Sequence, residues 1–190
     1  CRIIMKKTQE HAVTQNMLNR EFRWTVPFRK IWTDVAYVWF RWRWIYCSIL
    51  KDMITSEILS FSISESLAMG IIHSMFSRLS GEYWDWVLAW AILHSDQGFH
   101  YAHPCFRSKL RELGCTQSMS RKWNCIDNPP TESFFGYMKD EIGISGCQTI
   151  GEVEIYMENY ISHFNNDRPQ WSRKKMTPVK YGNHLLQLQL

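Results

Sequence analysis

Three acidic residues carry the chemistry this sequence is equipped to do. Asp34 lies in KIWTDVAYV, Asp96 in LHSDQGFHY and Glu132 in NPPTESFFGYMK, with 35 residues between the second and the third. A carboxylate set into a β-branched, aromatic run is costly unless a counter-charge or a cation meets it. Carboxylate oxygens are hard donors suited to Mg²⁺ or Mn²⁺. No Ser/His/Asp or Cys/His arrangement competes to supply a protein nucleophile. Singly, each acid has a plainer explanation: Asp34 paired with a Lys or Arg, Asp96 in a turn before Gln-Gly, Glu132 favoured at a helix N-terminus. The three together point to a shared metal site.

The elements that must bring them together follow from periodicity. Residues 30–38, 45–52 and 57–64 read as three strands of an antiparallel meander. SLAMGIIHSMFSRL has apolar residues at 67, 68, 71, 72, 75, 76 and 79, a helical spacing that Ser66 would cap. The continuous apolar run 87–94 predicts a strand buried on both faces, and Asp96 stands just beyond its C-terminal end, where open α/β sheets hold ligands. Pro104 starts a helix to about residue 113, closed by Gly114. CTQSMS (115–120) reads as a short strand, and a helix carrying Glu132 begins at about Pro130 with Phe134, Phe135 and Met138 on its apolar face. Thr149 caps a long helix striped by Val153, Tyr156, Met157, Tyr160, Ile161 and Phe164. Thr177-Pro178 begins a short terminal one. The order predicts an α/β fold: a mixed five-stranded sheet flanked by helices, with Asp34 in the central strand, Asp96 ending its neighbour, and Glu132 on a helix packed against that pair. Residues 1–28 read as a linker or N-terminal arm, and 29–190 as one core with C-terminal helices and a basic tail.

The chain of 190 residues is 45% hydrophobic, which excludes disorder as its main description. A net charge of +4 permits a nucleic-acid partner without demanding one. Six cysteines without a Cys-x-x-Cys pair read as free thiols in a reducing compartment. His100, His103 and Cys105 lack the second ligand pair of a zinc site. No apolar run approaches a membrane span and the start is no signal peptide, so no membrane partner is expected and the location is read as cytoplasmic. The first residue is Cys1 rather than Met, which reads as a fragment of a longer product. Arg121 and Lys122 precede the helix of Glu132 and suit phosphate contacts, while Asn124 could orient the loop or touch phosphate. Gln97 and Tyr101 flank Asp96 and could line a DNA groove or simply pack the loop. Arg173, Lys174 and Lys175, with Arg168 nearby, form the strongest basic cluster, a solvated face or a DNA backbone contact. Of ten tryptophans, three fall in WFRWRW (39–44), where a turn is needed and Gly, Asn or Asp would be usual.

WTDVAY, LHSDQGFHY and SMSRKWNCIDNPPTESFFGYMKDE resemble the three acidic motifs of insertion-sequence transposases with the retroviral-integrase type of core. FNNDRPQWSRKKMTPVKY resembles the segment that closes that domain, so the likeness spans roughly residues 17–186. The resemblance implies a ribonuclease H-like fold and a DDE recombinase using Mg²⁺ or Mn²⁺, two ions in all. Asp34, Asp96 and Glu132 would be the catalytic metal ligands, and Lys139 would contact transposon-end DNA. It further implies cleavage at transposon ends, 3′-hydroxyl strand transfer into target DNA, and at least a dimer on DNA in a bacterial, nucleoid-associated setting. The helix-turn-helix region that reads the ends would come from a missing N-terminal part or a separate protein. This chain departs from the family at WFRWRW, at Trp123 where Gly is usual, and at Asn128-Pro129-Pro130 where Asn-Ala-Pro is usual. Those departures keep open a degenerate, inactive copy that only binds DNA; a ribonuclease H-type nuclease is a separate alternative, against which stand the lack of a fourth acid and the transposase-like tail.

Overall fold

A computed structural model describes residues 14–17, 26–79, 84, 87–120 and 129–188, with only the backbone of 129–133. Five strands form one sheet: β1 (Lys30–Phe40), β2 (Arg43–Asp52), β3 (Ile58–Ser64), β4 (Ile92–Ser95) and β5 (Thr116–Met119). Their order across the sheet is β3-β2-β1-β4-β5, with β1 in the centre. The first three strands pair antiparallel, and β4 joins β1, and β5 joins β4, in parallel. The helices are α1 (Gly70–Ser77), α2 (Phe99–Ala102), α3 (Pro104–Glu112), α4 (Pro129–Glu141), α5 (Ile150–Asn166) and α6 (Pro178–Gln187).

Alternation along β1 sorts the two faces of the sheet. Ala36, Val38 and Phe40, with Ile45, Cys47 and Ile49 of β2, pack under Phe134, Phe135 and Met138 of α4 and Val153, Met157, Ile161 and Phe164 of α5. Ile31 and Leu50 pack on the other face with Ile71, Ile72, Met75 and Phe76 of α1, Tyr101 of α2, and Phe106 and Leu110 of α3. Each fully buried side chain of this size contributes about 1.5–3 kcal/mol. The exposed ion pairs of Arg78 with Glu154 (3.1 Å) and Glu158 (3.3 Å) add about 0–1 kcal/mol each, so packing rather than charge seats α5. Thr149 and Thr177 cap α5 and α6, accepting from the N–H groups of Glu152 and Lys180. Gly114 closes the α3–β5 turn at φ 69°, where a Cβ would stand 3.1 Å from the Ala89 backbone.

Three expectations are corrected. The run 87–94 is not one strand: Val87 and Leu88 are helical, residues 89–90 turn, and only Ile92–Ser95 is extended. Continuous apolar runs do not distinguish strand from buried helix, and here the first half is a helix end that buries Leu88 and leaves Trp90 exposed. The helix after β3 starts at Gly70, and its N-terminal residue Met69 makes no side-chain cap, so Ser66 caps nothing there. WFRWRW is mostly strand: β1 runs through Trp39 and Phe40, β2 takes up Arg43 and Trp44, and only Arg41 and Trp42 turn. Aromatic side chains gain more from cross-strand contact than a loop would give them.

The turn after β2 is built on Asp52, a fully buried acid. Its Oδ1 accepts the Phe28 N–H (2.8 Å), and Oδ2 accepts the N–H groups of Ile54 and Thr55 and the Thr55 hydroxyl. Burial raises the Asp52 pKa against these donors. Asn165 of α5 reaches the edge strand β3, where its Oδ1 accepts the Ile58 N–H and its Nδ2 donates to the Ile58 carbonyl, both at 2.9 Å. Residues 14–17 lie beside β5: the Met17 N–H donates to Ser118 Oγ and the Thr14 hydroxyl to Gln117 Oε1.

Candidate active site

The parallel pairing of β1 with β4 sets the positions of the first two acids. Lys30, Ile31 and Trp32 pair with Ile92, Leu93 and His94. Asp34 follows Trp32 by two residues and Asp96 follows His94 by two, so continuing the register sets them side by side on adjacent chains. Neighbouring strands lie about 4.8 Å apart. Both positions alternate onto the face occupied by α4, the helix whose backbone carries Glu132.

Each aspartate is half-buried and oriented by a backbone donor. Asp34 Oδ1 accepts the Val35 N–H and Asp96 Oδ1 the Gly98 N–H, both at 2.8 Å. A Cβ on Gly98 would stand 2.8 Å from that same Asp96 oxygen, so the turn needs glycine for closeness rather than for its φ. Tyr101 reports both charges. Its pKa is pushed well above the usual phenol range, first by burial, then by the Asp34 and Asp96 carboxylates, with a hydrogen bond from Thr33 opposing. One buried hydroxyl therefore senses both acids.

Tyr101 itself is not a groove residue. It is 2% exposed, and its hydroxyl lies 3.2 Å from Thr33 Oγ1, inside the core on the α1 side of the sheet. Its aromatic ring packs better against Phe106 (5.2 Å) than in water, which overrides the polar reading of its neighbourhood. Gln97 is half-buried, donating from Nε2 to the Ser120 carbonyl and so tying the loops that leave β4 and β5. Lys139 is exposed on α4, seven residues beyond Glu132 and on the same helical stripe. Arg173 is half-buried: it donates to the Met53 carbonyl and Ser56 Oγ, and burial lowers its pKa. Its guanidinium braces the β2–β3 turn. Lys174 and Lys175 are exposed at positive φ beside it, with Lys175 Nζ 4.7 Å from the Trp171 ring. Arg168 pairs with Glu141, an ion pair that holds the Glu141 carboxyl below its usual range, and stacks on Tyr137. Arg121, Lys122 and Asn124, with the departures at Trp123 and Asn128, lie outside the described residues, as do the side chains of Pro129, Pro130 and Glu132. Among the described residues no group of three His, Cys, Asp or Glu side chains converges.

Lys51 is the residue here that sequence reasoning passed over. It is 3% exposed on β2, on the α4 face beside Trp32, with Nζ 5.8 Å from the Phe134 ring and 5.7 Å from that of Phe164. Burial, with the nearby Arg173 charge, pushes its pKa down to about 7. The signal was a Lys at an inward position of the strand ILKD.

Comparison with known proteins gives a consistent picture. Residues 132–186 match the family model described as integrase core domain. A transposase-like protein of Haemophilus influenzae is 35% identical over 174 residues, 89% of this chain and 77% of that protein. The InsK protein of insertion sequence element IS150 from Escherichia coli K12 is 35% identical over 173 residues, and the chain spans 59% of its length. Among solved structures, the HTLV-2 integrase catalytic core domain in complex with magnesium superposes with a TM-score of 0.64 at 12% identity, covering 83% of this chain and 97% of that one. This chain shares the integrase-core, ribonuclease H-like fold of that structure, and its strand order agrees. Among the described residues no helix is long and apolar enough to cross a membrane.

Proposed function

Because the chain belongs to the family of insertion-sequence transposases with an integrase-type catalytic core, we propose that it cleaves transposon-end DNA with divalent metal and joins the freed 3′-hydroxyl to target DNA. The observation that supports this is the β1–β4 register, paired through Trp32 and His94, which if continued by two residues would bring Asp34 and Asp96 onto adjacent chains on the α4 face. The donor types suit the group: two carboxylates, each accepting a backbone N–H, and a third acid, Glu132, on α4. These three would hold Mg²⁺ or Mn²⁺, two ions in all. When bound, the ions would supply an activated water and stabilisation of the leaving 3′ oxygen.

The chain's own residues do the rest. Val35 and Gly98 hold the carboxylates in orientation. Lys139, one stripe along α4 from Glu132, neutralises the phosphate of the transposon end. Lys174, Lys175, Arg121, Lys122, Asn124 and Gln97 are the further DNA contacts we propose. Phosphate contacts of this kind position DNA without reading its sequence. Residues 29–190 would form the catalytic core and 1–28 an arm. The helix-turn-helix reader would come from elsewhere in a longer product or from a partner, with two copies joining two ends.

The test is nicking and strand transfer on labelled duplexes carrying the ends of the encoding element, with Mg²⁺ or Mn²⁺. Activity should fall at least about 100-fold in Asp96→Asn and in Glu132→Gln, a loss of roughly 2.7 kcal/mol of transition-state stabilisation. Survival of activity in either variant sinks the assignment. DNA binding without cleavage under either metal would mark a degenerate copy, and preferential cleavage of an RNA–DNA hybrid a ribonuclease H-type nuclease.

A further inference from the structure

The β1–β2 hairpin bears an aromatic surface that neither the sheet core nor the paired acids use. Tyr37 stands directly opposite Tyr46, and Trp39 opposite Trp44. The rings meet edge to face with centroids 5.1 Å apart for Tyr37–Tyr46, 6.4 Å for Tyr37–Trp44 and 4.9 Å for Trp39–Trp44. Alternation sets all four on the α1 side, but they extend past its cover: Trp39 is 53% exposed, Trp44 51% and Tyr37 49%. Trp42, at the tip, is 91% exposed. Single exposed apolar residues need no explanation, whereas a contiguous group of large rings marks a binding surface.

The tip is also strained. Arg41 and Trp42 both have positive φ, 42° and 69°, which bulky residues rarely adopt. Strain that a stable protein keeps is an observation from which a function is argued. Here it projects an indole into solvent between two arginines.

Charge identifies the occupant. Arg41 donates from Nη1 to the Gln148 carbonyl and to Gln148 Oε1, both neutral acceptors, so these bonds fix the guanidinium without cancelling its charge. Arg43 is paired with Glu65 at 2.7 Å, both about half exposed. Exposed ring faces beside a fixed cation are what unpaired bases and their phosphates require: bases stack on the rings, and the guanidinium meets the backbone. A two-fold contact between copies centred on this tip would bring two Arg41 charges together instead. The position fits as well. Pairing of β1 with β4 is complete by Trp32, and β1 continues past Asp34 to Phe40. Trp39 lies five residues beyond Asp34, about 16 Å along the strand and on the opposite face. DNA held at the acids would reach these rings by crossing the projecting hairpin.

We propose that this hairpin is a stacking platform for unpaired DNA bases flanking the processed phosphodiester. It rests on the reading that this chain acts on DNA, not on its being catalytically active. The whole chain, in EDTA so that metal chemistry is silent, would be titrated with labelled oligothymidylate and with its duplex with oligodeoxyadenylate. Anisotropy and tryptophan fluorescence would be followed together. Single-strand binding should quench tryptophan emission. Trp39→Ala/Trp44→Ala should weaken single-strand affinity about tenfold or more while changing duplex affinity less than about twofold. Trp39→Phe/Trp44→Phe should restore most of the loss. If the alanine pair fails to fold, Trp42→Ala decides, because that side chain is almost fully in solvent: it should weaken single-strand binding several-fold with unchanged circular dichroism. Unchanged single-strand affinity, or an equal loss on duplex, overturns the proposal. So does a change confined to sedimentation, which would make the patch an interface between copies. Asp96→Asn should leave this binding intact, so failure here and failure of the cleavage assay are separate results.

Discussion

Asp96 is oriented by one hydrogen bond and one missing atom. The Gly98 N–H, 2.8 Å from Oδ1, fixes the carboxylate over its own turn, and the absent Cβ leaves the space that oxygen occupies. Gly98 has φ −59°, so alanine fits the backbone and the conflict is with the carboxylate alone. Gly98→Ala should therefore keep the fold, with Tm within a few degrees of the parent, and lower metal-dependent nicking at least about tenfold, the cost of misplacing a ligand by a fraction of an ångström. An unchanged nicking rate would show that Asp96 does not need its present orientation. Tyr101 gives the opposite lesson. Its place in HSDQGFHY suggested a groove residue, yet its ring lies in the core and only its electrostatic environment belongs to the acids.

At the scale of elements, the β1–β2 hairpin is held by its strands against its turn. Phe40 pairs with Arg43, leaving a two-residue loop with positive φ at both positions, the pattern that Asn-Gly adopts without strain. Each left-handed non-glycine residue costs about 1–2 kcal/mol. Cross-strand aromatic pairs return about 0.2–1 kcal/mol each, enough to hold the register but not to cancel the strain. Replacing Arg41-Trp42 with Asn-Gly should raise stability by about 1–2 kcal/mol in urea unfolding, after the loss of the two exposed hydrogen bonds to Gln148. The same variant should bind single-stranded DNA more weakly. A turn that stabilises the protein when replaced is being kept for something other than stability.

Across the whole molecule, Lys51 joins the sheet, α4, α5 and the C-terminal loop. It stands between the Phe134 and Phe164 rings with Arg173 nearby, and burial lowers its pKa to about 7 from the ordinary 10.5. An unfolded chain keeps this lysine protonated to about pH 10. Between pH 7 and 9 the unfolded state thus binds more protons than the folded one, and stability rises with pH. Integrated over that window the contribution is about 2 kcal/mol. Above pH 9 the buried Cys47 thiol, raised to about 12, acts in the opposite sense. Comparing urea midpoints at pH 7 and pH 9, the parent should gain on Lys51→Met by about that amount. Parallel curves for the two proteins would mean that Lys51 remains charged in the fold.

How much could be read in advance divides along physical lines. The acids in their motifs, the antiparallel meander, the β-α-β order, the Thr149 cap and the helix start at Thr177-Pro178 all rest on local chemistry: hydrophobic period, capping side chains, proline and glycine positions. Those signals need only neighbours along the chain, and they sufficed for the order of elements and for Asp34 on a central strand, while the family came from the resemblance of the three acidic motifs. What lay beyond them depended on contacts between distant segments. The run 87–94 split into helix end and strand because its two halves meet different partners, and no periodicity encodes that. Tyr101 and Arg173 turned inward because Thr33, Met53 and Ser56 supply partners found only after folding. The register that, continued past Trp32 and His94, would bring Asp34 to Asp96 is likewise tertiary: it is chosen by pairing 62 residues apart in sequence, where a slip of one residue would turn an acid to the other face.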